Sequence, residues 1–222
     1  MIVVSDMMGT LTTGSPVLGL VDWVRHHQSK WQAERYMVRI TPGYLIAKTG
    51  WIDWQKWGQD LMIESLSMIR EATPKKMKEV GEWAVEHNLW RKRREDVVAR
   101  LISLRNEGAQ VYIASSVVEP LIEPFARRLG ARTIGTPVEY HEGRVRVASG
   151  LVAQERKIQE VLKRLGVDQL DAAYGDTWMD IPLLEHAQHP VAVHPDARLR
   201  AAAVKGGWEI LEGEGVDPKP AR

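Results

Sequence analysis

Three short apolar runs each end in a polar residue that could do chemistry. Asp6 follows Ile2–Ser5, Ser115 and Ser116 follow Gln110–Ala114, and Asp176 follows Ala172–Tyr174. Lys157 lies near the start of a helical pattern before the third run, and Asp180 comes four residues after Asp176. A carboxylate, a hydroxyl, a lysine and further carboxylates suit phosphoryl transfer through a covalent aspartyl phosphate. One carboxylate attacks phosphorus, and the intermediate is then hydrolysed. Charge on the transferring group calls for cations and hydrogen-bond donors, because positioning and electrostatics supply most of the catalysis. Mg²⁺ takes carboxylate, carbonyl and water oxygens, often with only one or two protein carboxylates. Asp6 and Asp176 are placed to hold it, with Lys157 and Ser115 steadying the phosphoryl oxygens.

Each residue also has a plainer role. An Asp after a strand often caps a turn, and Asp180 can cap a helix. Ser115 and Ser116 compete, and either can cap the helix that follows; Ser115 is preferred because it ends the run directly. Lys157 stands in Glu155-Arg156-Lys157, a run that also reads as a solvated helix face. The set carries more weight than any member.

For these residues to meet, the apolar runs must be parallel strands sharing one carboxyl edge, where open sheets bind ligands near the reversal of strand order. The pattern supports this. Val97–Glu107, Glu119–Leu129 and Gln154–Leu165 read as helices closed by Gly108, Gly130 and Gly166, and Asp196–Val204 reads as the last helix. Val191–Val193 and Trp208–Leu211 add strands, and Thr136–Val147 reads as a hairpin around His141-Glu142-Gly143. Alternating strands and helices predict a doubly wound parallel α/β sheet. From Ser15 to about Trp90 the text is helical instead, with Ser15-Pro16 and Thr73-Pro74 as helix starts and Trp51, Trp54, Trp57 and Leu61 marking one helix face.

The chain has 222 residues, 44% hydrophobic and 27% charged, which fits a core plus a smaller unit and argues against disorder. A net charge of +1 gives no field favouring nucleic acid or an anionic membrane. With no cysteine, thiolate catalysis, disulfides and cysteine zinc sites are excluded, and a reducing cytoplasm is the expected setting. No basic region precedes Asp6 and no window approaches the ~20 apolar residues of a membrane span, so neither a signal peptide nor a span is expected. Nine Trp stand against one Phe, and the bias falls between Trp23 and Trp90. The tryptophans read as packing for a small helical unit, with a hydrophobic substrate pocket as the alternative. Arg91-Lys92-Arg93-Arg94 reads as a solvated helix start, and the histidines show no metal-ligand spacing. The Gly- and Pro-rich stretch from Glu212 onward is expected to fray.

The segment from Val4 to Thr12, Val-Ser-Asp-Met-Met-Gly-Thr-Leu-Thr, resembles the first motif of the haloacid dehalogenase superfamily. Val111–Ser115 resembles its second motif, Lys157 fits its third, and Gly-Asp-Thr-Trp-Met-Asp-Ile-Pro-Leu-Leu from Gly175 to Leu184 resembles its fourth. The hairpin and the Val193–Leu199 segment are similar to the phosphoserine-phosphatase-like branch. The resemblance covers residues 1–12 and about 92–211; segment 14–90 matches only in size and position. It implies a Rossmann-like core of residues 1–13 and 91–222 with an inserted helical cap at 14–90, whose closure would exclude water. It implies Asp6 as nucleophile and Mg²⁺ ligand, and Met8 as a ligand through its backbone carbonyl. Asp176 is then the second carboxylate, with Asp180 acting directly or through water. Ser115 and Lys157 would bind the phosphoryl group, with Gly9, Thr10 and Ser116 beside it. The expected partner is a small phosphorylated metabolite, without nucleic acid or membrane; a homodimer stays open.

The departure is Met8. The family's phosphatases carry Asp at this position, which protonates the leaving oxygen and then activates water. Such help is worth roughly 100- to 10,000-fold, and Met8 can provide neither part of it. Three readings follow. One is a phosphohydrolase with weakened acid catalysis, acting on good leaving groups or borrowing an acid from Asp53, Asp60, Glu64, His26 or His27. Another is carbon-centred chemistry: phosphonate cleavage needs a cap lysine, for which Lys30, Lys48 and Lys56 are available, whereas metal-free dehalogenation conflicts with the intact Asp176-to-Asp180 segment. The last is a catalytically silent phosphate or metabolite binder.

Overall fold

Ile2–Ser5 forms β1, and its alternating residues explain why it sits at the centre of the sheet. Val3 and Val4 point to opposite faces and both are fully buried, Val3 in one apolar cluster and Val4 in the other. The computed structural model describes residues 1–48 and 54–212, with side chains described for 1–46 and 56–212.

After β1 come four helices: α1 (Pro16–His27), α2 (Lys30–Lys48), α3 (Trp54–Leu66) and α4 (Pro74–Ala84). Ser15 and Thr73 cap α1 and α4 through their hydroxyls, with proline in the first turn, as the sequence predicts. A π-helical turn (Val85–Leu89) and a 3₁₀ turn (Trp90–Lys92) lead back to α5 (Glu95–Asn106). There follow β2 (Gln110–Val118), α6 (Glu119–Leu129), β3 (Arg132–Thr136) and the hairpin β4 (Val138–His141) and β5 (Arg144–Val147). Then come α7 (Gln154–Leu165), β6 (Leu170–Gly175), α8 (Ile181–Glu185), β7 (Ala187–Val193), α9 (Ala197–Gly206) and β8 (Glu209–Leu211).

The six main strands are parallel in the order β3-β2-β1-β6-β7-β8. The chain runs outward from β1 through β2 to β3, then crosses to β6 and runs outward the other way. The reversal therefore falls between β1 and β6, the two strands that end at Asp6 and Asp176. Helices α5 and α6 cover one face through Leu101 and Phe125, and α4 packs on α6 and α1 on α4, adding Met77 and Leu20 to the same apolar cluster. Helices α7, α8 and α9 cover the other through Ile158, Val161, Leu183 and Leu199. This is the doubly wound α/β fold that the strand and helix alternation predicts.

The helices between β1 and α5 do not stand apart from the sheet layer. α4 lies so close to α6 that a Cβ on Gly81 would be 2.0 Å from the Pro120 carbonyl oxygen. The two ends of the insertion are also tied together. Thr12 Oγ1 donates to the Leu89 carbonyl at 2.6 Å, Ser15 N to Asn88 Oδ1 at 2.8 Å and Arg94 N to the Leu11 carbonyl at 2.8 Å.

Local expectations need correction in three places. β2 does not stop at Ala114 but continues through Ser115 and Ser116 to Val118, with a register irregularity against β3 between Ala114 and Val118. β3 was not legible, because Arg132-Thr133-Ile134-Gly135-Thr136 offers one large apolar residue for an edge strand with half its surface to cover. The hairpin begins at Val138, since Thr136 completes β3. In the tryptophan stripe, Trp51 lies outside the described residues and nothing is described of the Trp54 side chain, while Leu61 is buried and Trp57 packs against the main cluster. The Glu212 tail lies outside the described residues from 213 onward.

Candidate active site

Asp6 leaves β1 at the sheet's carboxyl edge and is almost fully buried. Its backbone N–H donates to the Tyr174 carbonyl at 2.9 Å, so β6 fixes where the carboxylate stands. The residues after it form a tight loop: Leu11 N and Thr12 N return to the Met7 carbonyl, and Gly9 N donates to the Thr12 carbonyl at 2.8 Å. Gly9 has φ +88°, a conformation that glycine takes without strain.

Lys157 reaches this carboxylate from the far side of the sheet. It is the fourth residue of α7, on the face that buries Ile158 and Val161, and its stem follows them inward. Its Nζ donates to Asp6 Oδ1 at 2.7 Å and to Asp180 Oδ1 at 2.8 Å. Thr10 Oγ1 lies 3.4 Å from Asp6 Oδ2 and 3.2 Å from Asp176 Oδ1. Asp180 faces the site through a capping box. Its Oδ2 accepts from Asp176 N at 3.2 Å, Thr177 N at 3.3 Å and Thr177 Oγ1 at 3.4 Å. Asp196 fixes the same turn, accepting from Trp178 N while its own N–H donates to the Asp176 carbonyl.

Asp6, Asp176 and Asp180 each offer an oxygen within 4.8 Å of the others, and all three are buried. Like charges this close need cations. Lys157 supplies one. Burial pushes the Asp6 carboxyl up to about 6; the Lys157 ammonium pulls it down, and the Asp180 carboxylate adds to the rise. For Lys157, burial works against the charge, but the carboxylates of Asp180 and Asp6 outweigh it and hold the ammonium's pKa above its ordinary value. The donor set is entirely oxygen, which fits a hard divalent cation such as Mg²⁺.

The structure thus joins Asp6, Thr10, Lys157, Asp176 and Asp180 in one hydrogen-bonded group, with Gly9 in its loop. Ser115 is buried on β2, two residues beyond the Ser5/Ile113 pair, and its Oγ accepts from Val117 N at 3.3 Å. Ser116 is half-buried, and its carbonyl accepts from Thr136 Oγ1. The Met8 side chain is partly buried against the main cluster and adds no acid.

Among the candidate replacement acids, Glu64 pairs with Arg39, His26 lies tilted against Trp83, and His27 meets Trp83 edge-on. Asp60 is exposed, as are Lys30 and Lys56, while Asp53 and the Lys48 side chain lie outside what is described.

One residue was missed. Arg94, assigned from its basic run to a solvated helix start, is half-buried and donates from Nε to the Gly9 carbonyl at 2.7 Å. Run composition gave no sign of this, because Arg91 and Lys92 in the same run are exposed.

These features lie at the switch point of a doubly wound sheet, where such folds bind their ligands. The chain belongs to the haloacid dehalogenase-like hydrolase family, whose pattern matches residues 3–185. Among curated relatives, phosphoserine phosphatase SerB1 of Mycobacterium tuberculosis is 31% identical over 115 residues, covering 47% of this chain and 36% of that protein. The inhibition of morphological differentiation protein of Streptomyces azureus is 31% identical over 133 residues, covering 51% and 48%. The chain thus spans less than half the length of these relatives. A Bordetella pertussis protein of unknown function superposes with a TM-score of 0.73 at 19% identity, covering 95% of this chain and 97% of that one. A substrate-bound phosphoserine phosphatase superposes at 0.61 with 17% identity, covering 96% and 92%. Among the described residues no helix is long and apolar enough to cross a membrane.

Proposed function

We propose that the chain is a Mg²⁺-dependent phosphohydrolase of a small phosphorylated metabolite, working through an aspartyl phosphate at Asp6 with weakened acid catalysis. The observation that carries this reading is the Lys157 ammonium bridging Asp6 and Asp180 while Asp176 completes a buried three-carboxylate cluster. Asp6, Asp176 and the Met8 carbonyl would hold the cation. Asp180 has Oδ1 engaged by Lys157 and Oδ2 by the 176–177 amides, so its part is to orient these groups and to reach the cation through water. Bound there, Mg²⁺ neutralises the cluster and lets a dianionic phosphoryl group approach a carboxylate.

The chain's own residues account for the rest. Asp6 attacks phosphorus; Lys157 holds its unreacting oxygen and balances the arriving charge. Thr10 keeps Asp6 and Asp176 in register. Ser115, Ser116 and the Gly9 loop line the phosphoryl side. Segment 14–90 serves as a cap that confers specificity. Met8 neither protonates the leaving oxygen nor activates water, so ordinary alkyl monoesters are poor substrates. The names of the phosphoserine phosphatases among its relatives support the phosphoryl chemistry.

The test is hydrolysis of an aryl phosphate by the wild type, with and without Mg²⁺, beside Asp6→Asn. Mg²⁺-dependent turnover lost in Asp6→Asn supports the reading. Turnover no greater than Asp6→Asn favours the second reading, a silent phosphate or metabolite binder, which the methionine at position 8 itself recommends.

A further inference from the structure

With Met8 in place of an acid, the leaving oxygen must depart as an anion, and a cation near it becomes the remaining way to lower that barrier. Arg94 is a cation held beside the Asp6 loop, and its position is built into the fold. Its backbone N–H donates to the Leu11 carbonyl at 2.8 Å, beside the Thr12 and Thr13 bonds to Leu89 and Lys92. Its Nε donates to the Gly9 carbonyl at 2.7 Å. Backbone and side chain are thus each tied once to the loop that starts at Asp6, the main chain through its N–H and the guanidinium through Nε. Burial pulls the guanidinium's pKa below its ordinary value, and the carboxylates of Asp176 and Asp96 oppose that pull. Among the described residues its two Nη groups have no hydrogen bond, unlike Arg93, which is engaged by Glu95 and the Trp90 carbonyl.

Resting on the phosphohydrolase reading above, we propose that Arg94 stabilises the departing anion in place of the missing acid. The site is thereby restricted to substrates whose leaving group is a stable oxyanion: aryl, enol, acyl or phosphoanhydride phosphates. Asp6 Oδ forms a bond to phosphorus as the bond from phosphorus to the leaving oxygen breaks. Both electrons leave with that oxygen, which departs unprotonated toward the Arg94 Nη groups. Water then attacks phosphorus, the bond from phosphorus to the Asp6 oxygen breaks with its electron pair returning to the carboxylate, and both water protons leave with the released phosphate. Arginine suits this role because its planar fork offers two donors and it keeps its charge at neutral pH; it cannot act as a proton donor itself.

The experiment measures kcat and KM with Mg²⁺ for p-nitrophenyl phosphate, phenyl phosphate and O-phosphoserine, in order of increasingly basic leaving groups. Wild type, Arg94→Met, Arg94→Lys, Met8→Asp and Asp6→Asn are compared. The expected result is a steep fall in wild-type kcat along the series. Arg94→Met should lower kcat for p-nitrophenyl phosphate by about 100- to 1,000-fold, the usual loss for one preorganised donor, and Arg94→Lys should recover part. In Met8→Asp the series should flatten and the dependence on Arg94 shrink. A merely structural role would not tie the Arg94 effect to the residue at position 8. Arg94→Met and Arg94→Lys that both keep wild-type kcat across the series, with Asp6→Asn inactive, would overturn the assignment and leave the phosphohydrolase reading standing. A wild type no faster than Asp6→Asn on all three probes would overturn that reading, and this assignment with it.

Discussion

A Cβ placed on Gly9 would stand 1.9 Å from Oδ2 of Asp176. The loop after the first strand and the end of the sixth thus meet at backbone-to-carboxylate distance. Gly9 also holds φ +88°, where a side chain adds strain of about 1–3 kcal/mol. Gly9→Ala should push Asp176 out of the carboxylate cluster. Turnover and Mg²⁺ affinity should both fall, the latter by calorimetry, while far-UV circular dichroism stays that of the wild type. Unchanged Mg²⁺ affinity would mean that Asp176 does not depend on this close approach.

Lys157 should be a stability residue as well as a site residue. It is buried between two carboxylates, and removing one partner of a buried pair typically costs about 3–5 kcal/mol. Lys157→Met should lose stability on that scale in urea titrations without metal, and Mg²⁺ should restore part of it by supplying the missing positive charge. Wild-type stability in the variant would show that the carboxylates are not charged together.

The pKa shift at Asp6 sets a pH dependence. Its folded-state pKa is raised from 3.8 to about 6, so without metal its contribution to stability is fully present below pH 3.8 and is lost as pH rises through about 6. Lys157 is raised too, so it stays charged throughout that window. A cation at Asp6 must displace the proton. The gain in Tm from a fixed Mg²⁺ concentration should therefore grow between pH 5 and pH 7, and Asp6→Asn should remove most of that growth. A gain independent of pH in the wild type would separate the cation from Asp6.

Met8→Asp should restore acid–base help. Turnover of an alkyl monoester such as O-phosphoserine should rise by roughly 100- to 10,000-fold, and that of p-nitrophenyl phosphate by less, because it gains only the help in water activation. If neither rises although inorganic phosphate still binds, the site is a binder.

Most of the core was legible along the chain. β1, α6 and α7 fall where apolar runs and closing glycines put them, because central strands are buried on both faces and helices end where a left-handed residue is cheap. β3 and the far half of β2 were not, since an edge strand carries a weak apolar signal and β2 extends through serines.

For the site, the sequence by itself determined the residue types: carboxylates and a lysine at the ends of apolar runs, and a methionine where an acid would stand. Tertiary structure decided which of them touch. Lys157 bridges Asp6 and Asp180 because α7, packed on β2 and α8, brings its first turn to the carboxyl edge of the sheet. Asp180 spends one oxygen on backbone amides, whereas Ser115 bonds within its own strand. Arg94 reaches the Gly9 loop only because the two ends of the helical insertion are tied together there. Such contacts depend on the crossing of elements far apart in the chain, and no local spacing encodes that.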